Sequence, residues 1–298
     1  MDKPRRVVPV SGTALRDLTR VKLSHLDKVL YPSAGITKQD MLAYYIRVAP
    51  FLLPFLRDRP LTMHRFPEGV LGPGFFEKDA PAGTPDWVDT FTRYSETAGR
   101  DVRFILCNNL DTLIWIANLA SLEIHATLAT APSYTSPDHL LFDIDPEPPL
   151  TFDDVITVAR AVQSRLEDRG LRPYVKTSGK KGVHIVVPLA AGHSFAFVRD
   201  FVHGIGREIS RDVPFAVSEF PRSRDPGTVF IDYLQNAHGK TMAAPWSLRA
   251  TPQATVSAPV RWDELRKGVR SEDFNIKTVL SKHEDPWSDI FHDRQKIT

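Results

Sequence analysis

The chain has 298 residues, enough for about two domains or for one large domain with an accessory part, and its 42% hydrophobic and 25% charged residues are typical of soluble globular proteins. Its formal net charge of +2 excludes a strongly basic chain that binds nucleic acid over its whole surface, so any anion site must come from a local basic cluster. The single cysteine, Cys107, excludes an internal disulfide bond and a multi-cysteine zinc site, and it fits a reducing compartment.

Residues 1–20 show little hydrophobic periodicity and predict an extended arm. The basic residues near the start are not followed by a sustained apolar region, so a signal peptide is not expected. The most apolar helix candidate, residues 41–56, is too short to cross a bilayer and contains Pro50 and Pro54. No membrane span is therefore expected.

The first predicted helix begins at a capping box, in which Thr37 precedes Asp40 by three positions. It should run toward Phe55 and be bent or split by its prolines. Residues 59–98 mix glycine, proline and aromatic residues and predict a loop-rich stretch. Residues 111–126 have apolar side chains at helical spacing and predict a buried helix.

The next segment, LLFDIDPEPP from Leu140 to Pro149, predicts a strand that ends in a turn. Asp143 and Asp145 alternate with apolar residues, and side chains alternate between the faces of a strand, so both carboxylates should emerge on one face. Two close carboxylates raise each other's pKa, and a divalent cation such as Mg²⁺ or Mn²⁺ relieves their repulsion. An ordinary Asp-Pro turn is the alternative, and these residues leave both interpretations equally open.

Downstream, a capped helix is predicted from Thr151 to Gly170, followed by strands at residues 172–177 and 183–187 around an SGKKG turn. That turn could cradle a phosphate or be a solvated hairpin, and a single histidine such as His184 is more often an ordinary strand residue. A helix over 195–210 and a strand over 228–233 follow. Strands separated by helices, with hairpins between them, predict an α+β fold around a mixed or antiparallel sheet.

A third acidic position, Asp232, lies inside the apolar strand TVFIDY, where an unpaired carboxylate is costly. A metal shared with Asp143 and Asp145 would account for it, and so would a salt bridge with a buried arginine. Taken singly, the residue favours the salt bridge.

Together, the aspartate pair, the TSGKKGVH segment and the later aspartate resemble the archaeo-eukaryotic primase superfamily, in the same order along the chain. They are more similar still to the polymerase domain of bacterial ligase D, which acts in non-homologous end joining. Further matching motifs are DKVLYP from Asp27, Lys38, FFEK from Phe75, EIH from Glu123 and SLR from Ser247. The similarity runs from about Val21 to beyond Trp262 and implies a primase-like catalytic core flanked by helices, with N-terminal accessory elements.

The resemblance implies the organisation and the chemistry. After the arm of residues 1–20, residues 21–298 would form a primase-polymerase domain, with a 5′-phosphate-binding part over about 21–100, a catalytic core over about 101–270 and a C-terminal tail. Two divalent ions, Mn²⁺ or Mg²⁺, would carry out phosphoryl transfer from an NTP or dNTP. The residues implied as metal-binding and catalytic are Asp143, Asp145 and Asp232.

Other site residues follow from the same resemblance, and the chain departs from the family pattern in places. His25 stands where asparagine is usual, and His64 replaces a basic residue before Arg65. The loop before Asp232 differs by about one residue, which leaves the roles of its two arginines open. The implied nucleotide-binding residues are His125, Ser178, Lys181, His184, Gln235, Lys240 and Arg249. The implied DNA-binding residues are His25, Lys28, Lys38, Arg65, Phe75, Phe76, Lys78, Arg222 and Arg224.

The function implied is template-dependent filling of short gaps and extension of ends at DNA double-strand breaks, with a preference for ribonucleotides and recognition of the downstream 5′-phosphate. Ku and a separate DNA ligase would be partners, and the location would be cytoplasmic, at the nucleoid. Two alternatives are a primase-polymerase for replication or damage tolerance and a non-catalytic DNA-end binding module. Three carboxylates in apolar strands argue against the last, because a binder has no need of them.

Overall fold

The structure is a computed structural model that describes residues 20–95, 98–219, 225–279 and 285–298. The predicted arm of residues 1–20 lies outside these ranges except for Arg20. The helices are α1 (Lys38–Leu56), α2 (Leu110–Asn118), α3 (Phe152–Glu167) and α4 (Phe195–Asp212). The strands are β1 (Val29–Tyr31), β2 (Ile36–Thr37), β3 (Leu61–Arg65), β4 (Phe75–Glu77), β5 (Thr90–Ser95), β6 (Arg100–Ile105), β7 (Ser121–Thr127), β8 (His139–Pro146), β9 (Tyr174–Thr177), β10 (Val183–Pro188), β11 (Ala216–Val217), β12 (Val229–Asp232), β13 (Thr241–Ala243) and β14 (Pro259–Val260).

The chain forms two compact units, each assembled from separate stretches of sequence. Of the described residues, the first unit comprises 20–95, 98–126, 243–256 and 275–279, and the second comprises 127–219, 225–242, 257–274 and 285–298. The domain boundaries implied by the family resemblance remain a prediction. In the described residues, no helix is both long and apolar enough to cross a membrane.

The second unit is built on a six-stranded sheet in the order β11-β12-β8-β10-β9-β14. All neighbouring strands are antiparallel except β11, which runs parallel to β12, so the sheet is mixed. Helices α3 and α4 pack against it. A Cβ at Gly206 of α4 would contact the side chain of Ile231, which shows that the helix covers the face bearing Ile231 and its register partner Ile144. The predicted α+β class is confirmed.

The elements predicted around this sheet are also present. Helix α3 begins after the predicted cap Thr151, which forms a capping box with Asp154, and ends at Glu167, three residues before the predicted stop at Gly170. Strands β9 and β10 form the predicted hairpin around the SGKKG turn. Strands β8 and β12 contain Asp143, Asp145 and Asp232 as expected.

The first unit contains an antiparallel sheet in which β3 lies between β7 and β4, and a separate hairpin of β5 and β6. Helix α1 starts at the predicted capping box, where the Thr37 side chain accepts from the N–H of Asp40. It is not split, because one helix continues through Pro50 and Pro54 to Leu56. The stretch 59–98, predicted to be loop-rich, contains β3, β4 and β5.

The prediction of one helix over residues 111–126 is wrong. Helix α2 ends at Asn118, Ala120 adopts a left-handed backbone with φ of 59°, and β7 begins at Ser121. A left-handed residue ends a helix and reverses the chain. The polar residues Ser121, Glu123 and His125 alternate with apolar ones, a period of two that overlaps the helical spacing of the preceding turns.

Candidate functional site

Four polar residues form one row across the sheet of the second unit. Lys176 on β9 is the register partner of His184 on β10, His184 pairs with Asp143 on β8, and Asp143 pairs with Asp232 on β12. Residues directly opposite each other in antiparallel strands share a face of the sheet. Asp145, two residues after Asp143, emerges on that same face. The row and Asp145 therefore share the face opposite Ile144 and Ile231.

The apolar neighbours of the two β8 aspartates are buried on the other face. Phe142 and Ile144 are completely buried, whereas the carboxylates of Asp143 and Asp145 are only partly covered. The alternation predicted from the sequence is thus present in the structure. A partly covered pair of carboxylates on a rigid strand has the donor chemistry that hard divalent cations prefer.

Asp232 is held by its own turn. Its Oδ1 accepts from the N–H of Leu234 at 2.9 Å, and its Oδ2 accepts from Nε2 of Gln235 at 3.0 Å. Burial raises the pKa of Asp232, and the neighbouring charge of Asp143 raises it further, while Gln235 and Lys240 oppose the shift. Among the described residues, no arginine pairs with Asp232, so the salt-bridge alternative is not seen there. A cation between the carboxylates of Asp143 and Asp232 would relieve the repulsion that helps to raise the pKa of Asp232.

The SGKKG turn is organised from inside by Ser178. Its Oγ accepts from the N–H groups of Lys180 and Gly182, at 3.2 and 3.1 Å, and its own N–H donates to the carbonyl of Gly182 at 2.9 Å. The side chains of Lys180 and Lys181 are exposed. Because two N–H groups of the turn are occupied by Ser178, the turn presents positive charge chiefly through these two lysines.

Gly182 allows this turn to approach the aspartates. A Cβ at this position would collide with the carbonyl oxygen of Ile144 and with Oδ1 of Asp145. Only glycine therefore fits there without moving the strand. The lysine-bearing turn and the Asp143–Asp145 segment of β8 are consequently held side by side in the second unit.

In the first unit, a buried carboxylate joins two of the implied site residues. Glu123 on β7 is completely buried, its Oε2 accepts from Nε2 of His125 at 2.8 Å, and Nε of Arg249 lies 3.4 Å from the same oxygen. Its Oε1 accepts from the N–H of Ala250 at 2.9 Å. Nδ1 of His64 lies 3.3 Å from Oε2. We refer to His64, Glu123, His125 and Arg249 as the Glu123 cluster.

The charges of the Glu123 cluster follow from these contacts. Burial on its own would raise the pKa of Glu123, but the hydrogen bonds from His125 and His64 and the charge of Arg249 hold it well below its usual range. Burial lowers the pKa of His125 to about 4. The charge of Arg249 also lowers this pKa, whereas the hydrogen bond to Glu123 raises it. Glu123 is thus an anion paired with a buried arginine, and His125 is neutral.

Three members of the cluster are of metal-binding types: potential ligand atoms of His64, Glu123 and His125 lie within 4.8 Å of one another. The guanidinium of Arg249 already supplies a positive charge beside the carboxylate, which disfavours a cation. Sequence reasoning assigned no role to Glu123 itself. Glu123 could have been found from the sequence as a charged residue among apolar neighbours, two positions before His125.

The two aromatic residues of β4 are exposed above this cluster. The side chains of Phe75 and Phe76 are 45% and 61% exposed. The ring of His64 stacks on Phe76 with centroids 3.9 Å apart, and His125 meets the same ring edge-on at 5.8 Å. The guanidinium of Arg65 lies over Phe75 at 5.3 Å. Large exposed rings held from beneath are suited to stacking on flat ligands such as bases.

A second feature of the first unit is a concavity of about 360 Å³ that is lined by His25, Lys28, Lys38 and Arg65. Lys38 is 5% exposed at the first turn of α1, and burial together with the charge of Lys28 lowers its pKa to about 8. Two lysines at a helix N-terminus favour an anion. Glu68, which sequence reasoning missed, also lines the concavity and accepts from Nζ of Lys28 at 2.8 Å.

The remaining implied residues are placed as follows. Gln235 positions Asp232 directly, and Lys240 lies close enough to Asp232 to lower its pKa. Lys78 is exposed just after β4 and does not line the concavity. Arg222 and Arg224 lie outside the described residues. The structure therefore groups the implied residues into an acidic row with a lysine turn, the Glu123 cluster below two aromatic rings, and a basic concavity.

Known proteins resemble this chain over most of its length. The family described as LigD, primase-polymerase domain, matches residues 37–287. The multifunctional non-homologous end joining protein LigD of Mycolicibacterium smegmatis is 34% identical over 83% of this chain and 32% of that protein. The bifunctional LigD of Bacillus subtilis is 30% identical over 93% of this chain and 45% of that protein. The chain thus spans less than half the length of these relatives.

A solved structure supports the same assignment. The polymerase domain from Mycobacterium tuberculosis ligase D, in complex with DNA, superposes with a TM-score of 0.85 at 32% sequence identity. The match covers 93% of this chain and all of that chain. It confirms the resemblance and the fold expected from it. Because the family matches most of the chain and the solved domain matches its fold, the chain belongs to the LigD primase-polymerase domain family, a family of nucleotidyltransferases.

Proposed function

We propose that this chain is a template-dependent polymerase that fills short gaps and extends ends at DNA double-strand breaks in non-homologous end joining. The observation that carries the proposal is the register pairing of Asp143 with Asp232, with Asp145 on the same face of the sheet. In a member of this family, three partly covered carboxylates on one face of the sheet are best explained by divalent metal binding. The relatives at 34% and 30% identity are named for non-homologous end joining.

In this proposal Asp143, Asp145 and Asp232 hold two divalent ions, Mn²⁺ or Mg²⁺, through oxygen ligands. When bound, such ions activate the primer 3′-OH and stabilise charge on the transferred phosphoryl group. Leu234 and Gln235 fix the orientation of the Asp232 carboxylate, which would help to hold a metal ion. Lys181, on the turn built by Ser178, and Lys240 neutralise the triphosphate.

The Glu123 cluster and the aromatic rings serve the nucleotide and the template. His125 and Arg249 bind the incoming nucleotide, and Glu123 holds both in place. Phe75 and Phe76 stack against template bases, an interaction worth ~1–3 kcal/mol per base. Their exposure, together with the support that His64 gives to Phe76 from beneath, supports this assignment.

The basic concavity is the proposed site for the downstream 5′-phosphate. Lys28 and Lys38 supply the charge, and His25 and Arg65 line the same depression. A phosphate would replace the carboxylate of Glu68 as the partner of Lys28, because it carries more charge and more acceptor oxygens. We further propose that the protein prefers ribonucleotides and that Lys78, Arg222 and Arg224 contact DNA. We also propose that it acts with Ku and a separate DNA ligase, in the cytoplasm at the nucleoid.

The deciding experiment is primer extension by the purified protein on a gapped duplex and on an unprimed single-stranded template. Each is tested with NTPs or dNTPs, with Mn²⁺ or Mg²⁺, and the gap is tested with and without a 5′-phosphate. Extension on the gap that is stimulated by the 5′-phosphate supports the proposal. Synthesis on the unprimed template would indicate a primase instead. DNA binding without synthesis under any metal would indicate a non-catalytic end-binding module.

A further inference from the structure

Lys176 is a completely buried lysine for which the proposed function has no use. It lies on β9 at 0% exposure, between the buried residues Val175 and Thr177. Lysine is almost never fully buried unless it is paired, because removing an ammonium from water is costly. The partners that compensate for this cost therefore indicate what the residue does.

The partners of Lys176 continue the polar row. Its Nζ lies 2.8 Å from Nδ1 of His184, and it also donates to Oγ of Ser257. Nε2 of His184 lies 3.1 Å from Oδ1 of Asp143. Lys176, His184 and Asp143 are successive register partners on β9, β10 and β8, so the pairing of the backbones sets these distances.

The direction of each bond follows from the donors available. A protonated Lys176 has three donors and no acceptor, so in that state Nδ1 of His184 accepts from it. The ring proton of a neutral His184 is then on Nε2, where it donates to the carboxylate of Asp143. Each group in the series Lys176, His184, Asp143 thus fixes the orientation of the next.

We propose that Lys176 is a positioning residue that locks His184 in its Nε2–H tautomer and, through it, holds the carboxylate of Asp143 in one orientation. A partner that fixes the ring and proton of a histidine is a recurring device around metal sites. The proposal adds a support for Asp143 to the nucleotide-binding role that the resemblance implies for His184. Its consequence for metal binding rests on the proposed function, whereas the hydrogen-bond series itself does not.

The first test needs no variant and no metal. Long-range ¹H–¹⁵N correlation spectra of the full chain, labelled on histidine, distinguish the two neutral tautomers of each ring, and His184→Gln identifies the signal of His184. The proposal expects Nε2–H at His184 in the metal-free protein. A proton on Nδ1, or rapid exchange between the tautomers, would overturn it.

The second test removes the ammonium while keeping the bulk of the side chain. Lys176→Met should give a mixture of His184 tautomers and raise the half-saturating Mn²⁺ concentration by about tenfold, with the KM for nucleotide little changed. Mn²⁺ binding is measured by electron paramagnetic resonance of the free ion. Lys176→Arg keeps the positive charge and the hydrogen-bond donors. It should therefore restore most of the Nε2–H tautomer of His184 and most of the Mn²⁺ affinity. Lys267→Met, at an exposed lysine of the same unit, is the matched control.

If Lys176→Met does not fold, the wild-type tautomer measured in the first test still decides the proposal, and Ser257→Ala, which removes a partner of Lys176 without removing its charge, serves as the comparison. It should leave His184 in the Nε2–H tautomer. Unchanged tautomer and unchanged Mn²⁺ binding in folded Lys176→Met would overturn the proposal. The wild type could show the Nε2–H tautomer, and Lys176→Met could lose it, in a protein that is inactive on DNA. That result would reject the proposed function but keep the hydrogen-bond series of Lys176, His184 and Asp143.

Discussion

Asp232 on β12 is the direct register partner of Asp143 on β8. Like charges directly opposite each other on antiparallel strands destabilise a sheet. The raised pKa of Asp232, caused by burial and then by Asp143, shows that the fold bears this cost. The proposed cation-binding site would explain why two acidic side chains face each other across β8 and β12.

The first prediction concerns the stability of the metal-free protein. Asp232→Asn removes one of the two facing charges, so the free energy of unfolding should rise by roughly 0.5 kcal/mol in the presence of a chelator. Saturating Mn²⁺ should stabilise the wild type, by about 2.7 kcal/mol at 100 times the Kd, and the variant much less. Denaturant unfolding with and without metal measures both effects.

The pH dependence of that effect has a defined sign. The folded-state pKa of Asp232 is raised, so folding favours its protonated form. This contribution to stability is present in acid and is lost as pH rises through the folded-state pKa. The advantage of Asp232→Asn should therefore disappear at low pH, and an advantage of constant size across the range would contradict the facing-charge account.

The second prediction concerns Lys38, whose pKa is lowered to about 8 by burial and by Lys28. A 5′-phosphate, with a second pKa of about 6, is largely a dianion at pH 7, so of the two partners the lysine is the one that titrates mainly between about pH 7 and pH 9. Preference for a 5′-phosphorylated gap should fall through this range by about threefold or more, as Lys38 loses its proton. Fluorescence anisotropy with phosphorylated and unphosphorylated gaps measures the ratio.

The control is Lys38→Arg, which remains charged at all of these pH values and should give a flat profile. Lys28→Ala combined with Lys38→Ala should remove the preference at every pH while leaving binding to the unphosphorylated gap nearly unchanged. A pH profile in Lys38→Arg as steep as that of the wild type would exclude Lys38 as the titrating group.

The third prediction concerns Glu123. Removing one partner of a buried ion pair leaves the other charge uncompensated, which costs about 3–5 kcal/mol. Glu123→Gln should therefore lower the free energy of unfolding by that order, because Arg249 is 7% exposed and loses its counter-charge. Glu208→Gln, which breaks an exposed pair with Arg169, should cost below about 1 kcal/mol. Equal losses of unfolding free energy in Glu123→Gln and Glu208→Gln would contradict a buried ion pair between Glu123 and Arg249.

The fourth prediction separates stacking on DNA from folding. Phe76 is 61% exposed, so Phe76→Ala should change stability little but weaken binding to a gapped duplex by about tenfold, as expected for the loss of one stacked base. Leu71→Ala removes an apolar side chain that is 77% exposed and should leave binding unchanged. Comparable losses of affinity in both variants would indicate general surface contact instead of stacking.

Sequence reasoning reached the elements whose signals are local. Alternation around Asp143 and Asp145 predicted both the strand and the shared face, and the capping box at Thr37 predicted the start of α1. It failed at residues 111–126, where apolar spacing compatible with a helix continued across the turn at Ala120 into a strand.

The contacts that complete the sites join residues far apart in the sequence, so local sequence patterns could not predict them. Arg249 reaches Glu123 from 126 positions further along the chain, and Lys176 meets His184 because of the register between β9 and β10. Neither pairing has a periodicity or a spacing that could be recognised in one sequence. Arg249 was reached through the family resemblance, and Lys176 could have been noticed only as a charge among buried neighbours. Neither signal reveals the partner.

We propose that the carboxylates on β8 and β12 form the catalytic metal site of a gap-filling polymerase. The most direct test measures Mn²⁺-dependent addition of one nucleotide to a one-nucleotide gap bearing a 5′-phosphate, by the wild type and by Asp143→Asn, with DNA affinity measured in parallel. We expect extension by the wild type and a loss of extension by at least about 100-fold in Asp143→Asn, at similar DNA affinity. Comparable extension by both proteins, or extension by neither, would contradict it.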